Sequence, residues 1–273
     1  MNPQEQFTVA VAICTLIRPS LRRAVESVYA QDVEGRIHLI IGIDKLMGDM
    51  ALLDQLIAEA PPHVHVTVIN PGYSTSARHG GMYGNFFGGV LPTVLMYLAN
   101  SRYLAWLDDD NWFAPNHLSS LLKVIPGKAW AYSYRWYAHP TENTGVCIDQ
   151  WESVGPGNGV FKEKFGGFCD PSTLMYDKAA VHMLFPLAAL SLDTNGNTAD
   201  RVLLSHLFQE QYPCACSGEA TSYYTIDPSD VNHGIRLKWM STQVADLPEW
   251  KDDPNKLLSR SVIEKGGQAV DSL

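Results

Sequence analysis

Four short runs of apolar and β-branched residues, each separated from the next by a segment of helical period, limit what this chain can fold into. Phe7 to Ile13 (FTVAVAI), Ile37 to Ile43 (IHLIIGI), Val64 to Ile69 (VHVTVI) and Tyr103 to Leu107 (YLAWL) each read as a buried strand. Pro19 and Ser20 open a helical stretch, LRRAVESVYAQ, that places Leu21, Ala24, Val25 and Val28 on one face. Met50 to Ala60 reads as a second helix stopped by Pro61-Pro62, and Leu91 to Ala99 as a third, after the glycine-rich stretch Gly80 to Gly89. Strand–helix–strand order of this kind predicts an α/β fold, Rossmann-like, with a mostly parallel central sheet and helices on both faces. In such sheets ligands bind beyond the carboxyl ends of the strands.

The pattern loosens after residue 126. Ala129 to Ala138 (AWAYSYRWYA) reads as an aromatic-rich strand, and residues 143–170 are rich in glycine and turn formers. Ala179 to Leu190 and Ala199 to Gln211 read as helices separated by the turn DTNGNT, and the chain becomes polar from Leu247. The 273 residues fit one domain. It divides into a half over 1–125, a second half over 126–246 and a polar tail over 247–273.

Composition removes several classes. Twenty Lys and Arg against 29 Asp and Glu give a net charge of −9, which disfavours a nucleic-acid surface, because duplex affinity comes from basic side chains on phosphates. Cys14, Cys147, Cys169, Cys214 and Cys216 form no zinc-finger spacing and read as reduced structural thiols. No basic leader with a long apolar run begins the sequence, and no apolar stretch reaches the ~20 residues of a membrane helix. The expectation is a cytoplasmic chain, soluble or peripheral to a membrane, with no transmembrane segment. No G-x-G-x-x-G follows a strand, which disfavours a dinucleotide-dependent dehydrogenase.

The chemistry gathers at the strand ends. Asp44 follows the second strand, and Asp108-Asp109-Asp110-Asn111 follows the fourth. Adjacent carboxylates repel one another unless solvated or neutralised by a cation. Alternation points Asp108 and Asp110 to similar sides, where both can reach one oxygen-loving ion such as Mg²⁺ or Mn²⁺. The alternative is a solvated acidic turn capping the next helix before Pro115.

Taken together, ICTLIRPSLRRAVESVYAQ after the first strand, Asp44 after the second, NPGYSTSARHGG after the third and WLDDDNWFAPNHLSSLL after the fourth resemble the family-2 glycosyltransferases with the GT-A fold. The likeness covers residues 7–125 and, more loosely, 165–210. It implies transfer of a sugar from a nucleotide diphosphate donor to an acceptor hydroxyl, with inversion, the aspartate motif holding a divalent cation (Mn²⁺ or Mg²⁺) against the donor diphosphate. A UDP-sugar is the first candidate donor and a GDP-sugar the second. The acceptor is a saccharide or other hydroxyl compound, and a homo-oligomer is left open.

Position by position, the resemblance assigns the nucleotide-sugar to Thr15, Arg18, Asp44, Arg78, Asp108, Asp109 and Gly167. Lys45-Leu46 replaces the family's second acid and Gly-Ser, which leaves the base open. Arg78 matches the arginine of an Ala-Arg-Asn-x-Gly stretch, with His79 in place of the asparagine. Asp200, in NTADRVLLSHLF, matches the family's catalytic base, although Ala199 replaces the usual glutamate; Asp193 is its competitor. His233 is a candidate third metal ligand beside Asp108 and Asp110. Trp112, Trp136 and Trp151 offer aromatic faces for a sugar. Two other functions stay open: a sugar-nucleotide-binding module without turnover, and a sugar-phosphate nucleotidyltransferase. The latter usually carries a glycine-rich loop where this chain has CTLIRPS.

Overall fold

The computed structural model describes residues 7–82, 90–139, 142–190, 199–227, 230 and 232–243, with backbone alone at 199–200 and 241–243. The four expected strands form as β1 (Phe7–Thr15), β2 (Ile37–Ile43), β3 (Val64–Ile69) and β4 (Ser101–Trp106). They lie in the order β3-β2-β1-β4, parallel throughout, with Val11 opposite both Leu39 and Ala105. The crossovers are α1 (Leu21–Tyr29), α2 (Met50–Ala58) and α3 (Leu91–Leu98). Parallel pairing requires such crossovers, so the sequence alternation accounts for the parallel direction of these strands.

Side-chain alternation sorts the core into two layers. Val9, Val11 and Ile13 of β1 face Leu21, Val25 and Val28 of α1 and Leu53 and Leu56 of α2, together with α4 (His117–Val124). Ala10 and Ala12 face the other way, toward Leu91, Leu95 and Met96 of α3. Small residues there let α3 sit close: a Cβ on Gly42 would stand 2.8 Å from a Leu95 methyl.

The second half adds β5 (Trp112–Phe113), β6 (Trp130–Ala138), β7 (Gly145–Ile148), β10 (Leu174–Asp177) and β11 (Cys214–Thr225), extending the sheet as β4-β10-β6-β11-β5 with β7 also on β6. β10 is antiparallel to β4 and β6, while β11 runs parallel to β6. A separate two-stranded ribbon joins β8 (Gly155–Pro156) to β9 (Gly167–Phe168), flanking α5 (Lys162–Phe165).

One expectation needs correction here, and one strand was not anticipated. The helix expected over 179–190 is only a turn of α-helix, α6 (Lys178–Val181), followed by a 3₁₀ stretch over His182–Ala189. Pro186 lies inside it and lacks the amide an α-helix needs. β11 carries no strand signal, because Ser217-Gly218 interrupts it. Gly218 takes φ +76°, and the register slips between Cys216 and Ala220. The helix expected over 199–211 is α7 (Ala199–Gln209), and α8 (His233–Gln243) packs Leu237 and Met240 against Tyr137 and Ile226. None of the described helices is long and apolar enough to cross a membrane. The glycine-rich residues 83–89 and the tail from 247 lie outside the described residues.

Two histidines are built into this framework uncharged. His117 stacks on Phe113 at 3.8 Å and bonds Thr221 Oγ1 at 2.8 Å, and burial lowers its pKa to about 3. His38 accepts from the Asn100 amide, and burial, then His65 and Lys178, lower it to about 4. The unfolded chain takes up protons near pH 6.5 while the folded chain does not. The stability due to these groups is therefore present above pH 6.5 and lost as pH falls toward 4. Thermal melts of His117→Gln are expected to drop less than wild type between pH 6.5 and 4; equal drops would reject neutral burial.

Candidate functional site

At the carboxyl end of β1 the chain turns sharply. Ile17 holds φ +58°, a conformation that costs a β-branched residue on the order of 1–3 kcal/mol. It is over-determined by its surroundings. The Ile17 amide donates to Thr15 Oγ1 at 2.8 Å, and the amides of Met47 and Gly48 donate to Leu16 O. Gly48 is required because a Cβ there would lie 1.7 Å from Ile17 O. The turn delivers Thr15 and Arg18 to the end of β4. Thr15 Oγ1 donates to Asp109 Oδ2 at 2.7 Å, and the Arg18 guanidinium pairs with Asp109 and, at 3.2 Å, with Asp110. Desolvation acts to lower the Arg18 pKa, but Asp109, Asp110 and Asp108 outweigh it and raise it.

Asp108 and Asp110 flank that pair. Burial first, then the charges of Asp170 and Asp110, push the Asp108 carboxyl up to about 8. Asp110 is also raised, by burial against the opposing effect of Arg18, and its side chain is 37% exposed. Asp170, buried just before a 3₁₀ turn over Pro171–Thr173, is raised too, with burial outweighing Arg135. These carboxyls therefore hold protons more tightly than ordinary aspartates, as acids crowded beyond what Arg18 can neutralise do, and their oxygens are the hard donors that Mg²⁺ or Mn²⁺ prefers. The donor set fits a divalent cation held by Asp108 and Asp110.

Asp44 lies beside this cluster, its amide donating to Thr15 O at 3.0 Å. Ser74 Oγ stands 2.9 Å from both Asp44 oxygens and accepts from the Ser76 amide. The next turn, Ala77–His79, carries Arg78 at the surface. Thr15, Arg18, Asp44, Asp108, Asp109 and Asp110 are therefore brought together.

Two expected residues stand apart. Gly167 is buried, with φ +117°, and a Cβ there would lie 2.4 Å from Gly155 O, so close packing of the β8–β9 ribbon accounts for the glycine. His233 is buried at the start of α8, both ring nitrogens without a hydrogen-bond partner among the described residues. Burial lowers its pKa first and Arg236 second, and the carboxylates acting on it are Asp230 and Asp227, not Asp108 or Asp110. Among the described residues no three His, Cys, Asp or Glu side chains gather at metal-ligand spacing. Asp200 lies in the first turn of α7, and its side chain, like Asp193, falls outside the described residues.

Trp112 and Trp136 are stacked against the protein itself. Trp112 lies between the Arg23 guanidinium at 3.9 Å and Tyr223 at 4.9 Å, and Trp136 lies between Tyr223 and Gly145, where a Cβ would come within 2.8 Å of the ring. These rings form a ladder across β5, β11, β6 and β7, with both faces covered.

Sequence reasoning missed the buried floor beneath the acids. Arg135, 1% exposed, binds Asp149 at 2.8 Å, Glu152 at 2.9 Å and Asp170 at 2.5 Å. Arg236 binds Glu152 at 2.6 Å and Asp230 at 2.7 Å, and the Tyr137 hydroxyl donates to Glu152. These partners are far apart in sequence, and only the Asp170-Pro171 cap gave a local signal.

No protein-family model matches this sequence, and no curated protein matches it. Solved structures share its fold. TarS from S. aureus superposes over 95% of this chain and 42% of its own, at 13% identity and a TM-score of 0.53. Its fragment 1–349 in complex with UDP-GlcNAc gives 12% identity, 95% and 70% coverage, and a TM-score of 0.54. The mannosyltransferase PcManGT from Pyrobaculum calidifontis, in complex with GDP-Man and Mn²⁺, gives 11%, 90% and 67%, and 0.56. The chain spans less than half of the full TarS chain. At these identities the likeness establishes the GT-A glycosyltransferase fold.

Proposed function

We propose that this chain is a divalent-cation-dependent glycosyltransferase that moves a sugar from a nucleotide diphosphate donor to an acceptor hydroxyl, with inversion, as family-2 enzymes do. The observation that carries the reading is the convergence of Asp44, Thr15, Arg18 and the Asp108–Asp110 turn at the carboxyl ends of β1, β2 and β4. The neighbours' complexes with UDP-GlcNAc and with GDP-Man and Mn²⁺ support a nucleotide-sugar donor. Asp44 offers its carboxylate oxygens to the N–H edge of a base or to a ribose hydroxyl; UDP- and GDP-sugars are both candidates. Asp108 and Asp110 would hold Mn²⁺ or Mg²⁺, and His233, which faces Asp230 and Asp227 instead, is left out of that set. Bound there, the ion stabilises negative charge on the departing diphosphate.

Arg18 keeps Asp109 neutralised, so that the turn presents its two outer carboxylates without unfolding under its own repulsion. Arg78 faces the donor phosphates from the loop after β3. Asp200, at the start of α7, takes the acceptor proton. Residues 1–125 form the donor side and 126–246 the acceptor side of one cytoplasmic domain.

The test is donor hydrolysis with UDP-, GDP- and dTDP-sugars in Mn²⁺, Mg²⁺ or EDTA. Metal-dependent nucleoside diphosphate release supports a transferase. Pyrophosphate release from a nucleoside triphosphate and a sugar phosphate would overturn it, and nucleotide binding without turnover over a broad acceptor panel would leave a binding module. With an acceptor in hand, Asp200→Asn is expected to keep donor affinity while transfer falls about 10²- to 10⁴-fold; unchanged transfer rejects the base.

A further inference from the structure

We propose that Ser172 and Asn111 are positioning residues that clamp one oxygen of Asp108 and so fix which oxygen is offered to the cation; this rests on the cation reading above. The argument is a count of donors and acceptors. Ser172 Oγ has three polar neighbours: the Asp108 amide at 3.2 Å, Asn111 Nδ2 at 3.1 Å and Asp108 Oδ2 at 3.2 Å. Two of these are donors, so both hydroxyl lone pairs are taken and the single O–H has one destination, Asp108 Oδ2. Asn111 is equally constrained. Its Oδ1 accepts from the Thr225 amide at 3.0 Å, a group that can only donate, which settles the orientation of the side-chain amide. Nδ2 then spends its two hydrogens on Ser172 Oγ and, at 3.2 Å, on Asp108 Oδ2.

Asp108 Oδ2 is thereby saturated by two donors. Among the described residues, Oδ1 receives the Trp106 indole N–H alone, at 3.3 Å, and is the oxygen left for a ligand. Both clamp residues are fully buried, at 0% for Ser172 and 1% for Asn111, so no water competes for these bonds.

The clamp is anchored at both ends. The Ser172 amide donates to Asp170 Oδ1 at 3.0 Å, and Asp170 is held by Arg135. On the other side the Thr225 hydroxyl donates to the Asp110 carbonyl, which also accepts from Arg23 at 2.9 Å. β11 thus holds both Asn111 and the Asp110 carbonyl, although neither is part of it. Outer groups that orient a ligating carboxylate commonly change metal affinity by about 10- to 100-fold when removed.

The test is Mn²⁺ binding to the full chain, followed by electron paramagnetic resonance of free Mn²⁺. UDP and GDP binding in EDTA is followed separately by calorimetry. Ser172→Ala is expected to raise the Mn²⁺ dissociation constant about tenfold while leaving nucleotide affinity in EDTA unchanged. Ser172→Cys, nearly equal in volume but with a weak thiol donor, is expected to behave alike and guards against a packing defect. Mn²⁺ affinity equal to wild type in both variants overturns the clamp. So does a parallel loss of Mn²⁺ and nucleotide affinity, which marks a merely structural serine. No Mn²⁺ binding by the wild-type chain overturns the cation reading, and the clamp with it.

Discussion

Asp108→Asn is expected to lower metal-dependent nucleoside diphosphate release by about 10²- to 10³-fold, the usual cost of removing one group that stabilises charge in the transition state. The same change is expected to raise the melting temperature of the metal-free protein at pH 8. The sign follows from the environment of the carboxyl. Its folded pKa stands at about 8, against 3.8 for an ordinary aspartate, because burial and then Asp170 and Asp110 penalise the charge. The folded chain therefore holds this proton more tightly than the unfolded chain, and stability falls as pH rises from about 4 to about 8. Asparagine cannot ionise and escapes that loss. Added Mn²⁺ is expected to stabilise wild type at pH 8 and to do little for the variant. A variant that is active, or that melts lower at pH 8 with Mn²⁺ absent, would contradict the assignment of Asp108. Opposite effects on stability and activity are characteristic of charge held in place for function.

The largest loss of stability is expected at Arg135. Its guanidinium lies between three buried carboxylates, and removing one partner of a buried ion cluster costs about 3–5 kcal/mol because charge is left without compensation. For a chain of this size that amounts to on the order of 10 °C in melting temperature. Arg135→Met keeps much of the volume and should show this loss in thermal or urea unfolding. Arg135→Lys should not recover it, since one ammonium cannot reproduce three directed bonds. Arg22, paired with Glu26 and Glu59 at the surface, provides the contrast, and Arg22→Ala is expected to leave melting nearly unchanged. Equal effects of the two substitutions would refute the structural role of Arg135. Because Asp170 links Arg135 to Ser172, Arg135→Met is also expected to weaken Mn²⁺ binding.

The first half was legible because its signals are local. Each of the first four strands is a continuous apolar run, and Asp44 and Asp108 announce themselves as the first acids after two of them. The second half resisted for equally physical reasons. β11 carries a bulge at Ser217-Gly218 that breaks alternation, and β10 is four residues long, with its place between β4 and β6 fixed only by pairing. Pro186 turned an apolar run that reads as α-helix into 3₁₀. Trp112 marks another limit. An exposed ring and a ring covered by Arg23 and Tyr223 have the same sequence signature.

By itself the sequence determined the parallel sheet of the first half and the pole at which its acids stand, because strand period, helix period and strand-end position are properties of neighbours along the chain. Tertiary structure decided which carboxylates are paired and which are left for a ligand. Asp109 is consumed by Arg18 and Thr15, Asp108 keeps one oxygen open, and Asp170, Ser172 and Asn111 enter the site from elements far from one another in sequence. Burial and pairing depend on what the rest of the chain brings within a few ångströms, and no local pattern in DDDN specifies that.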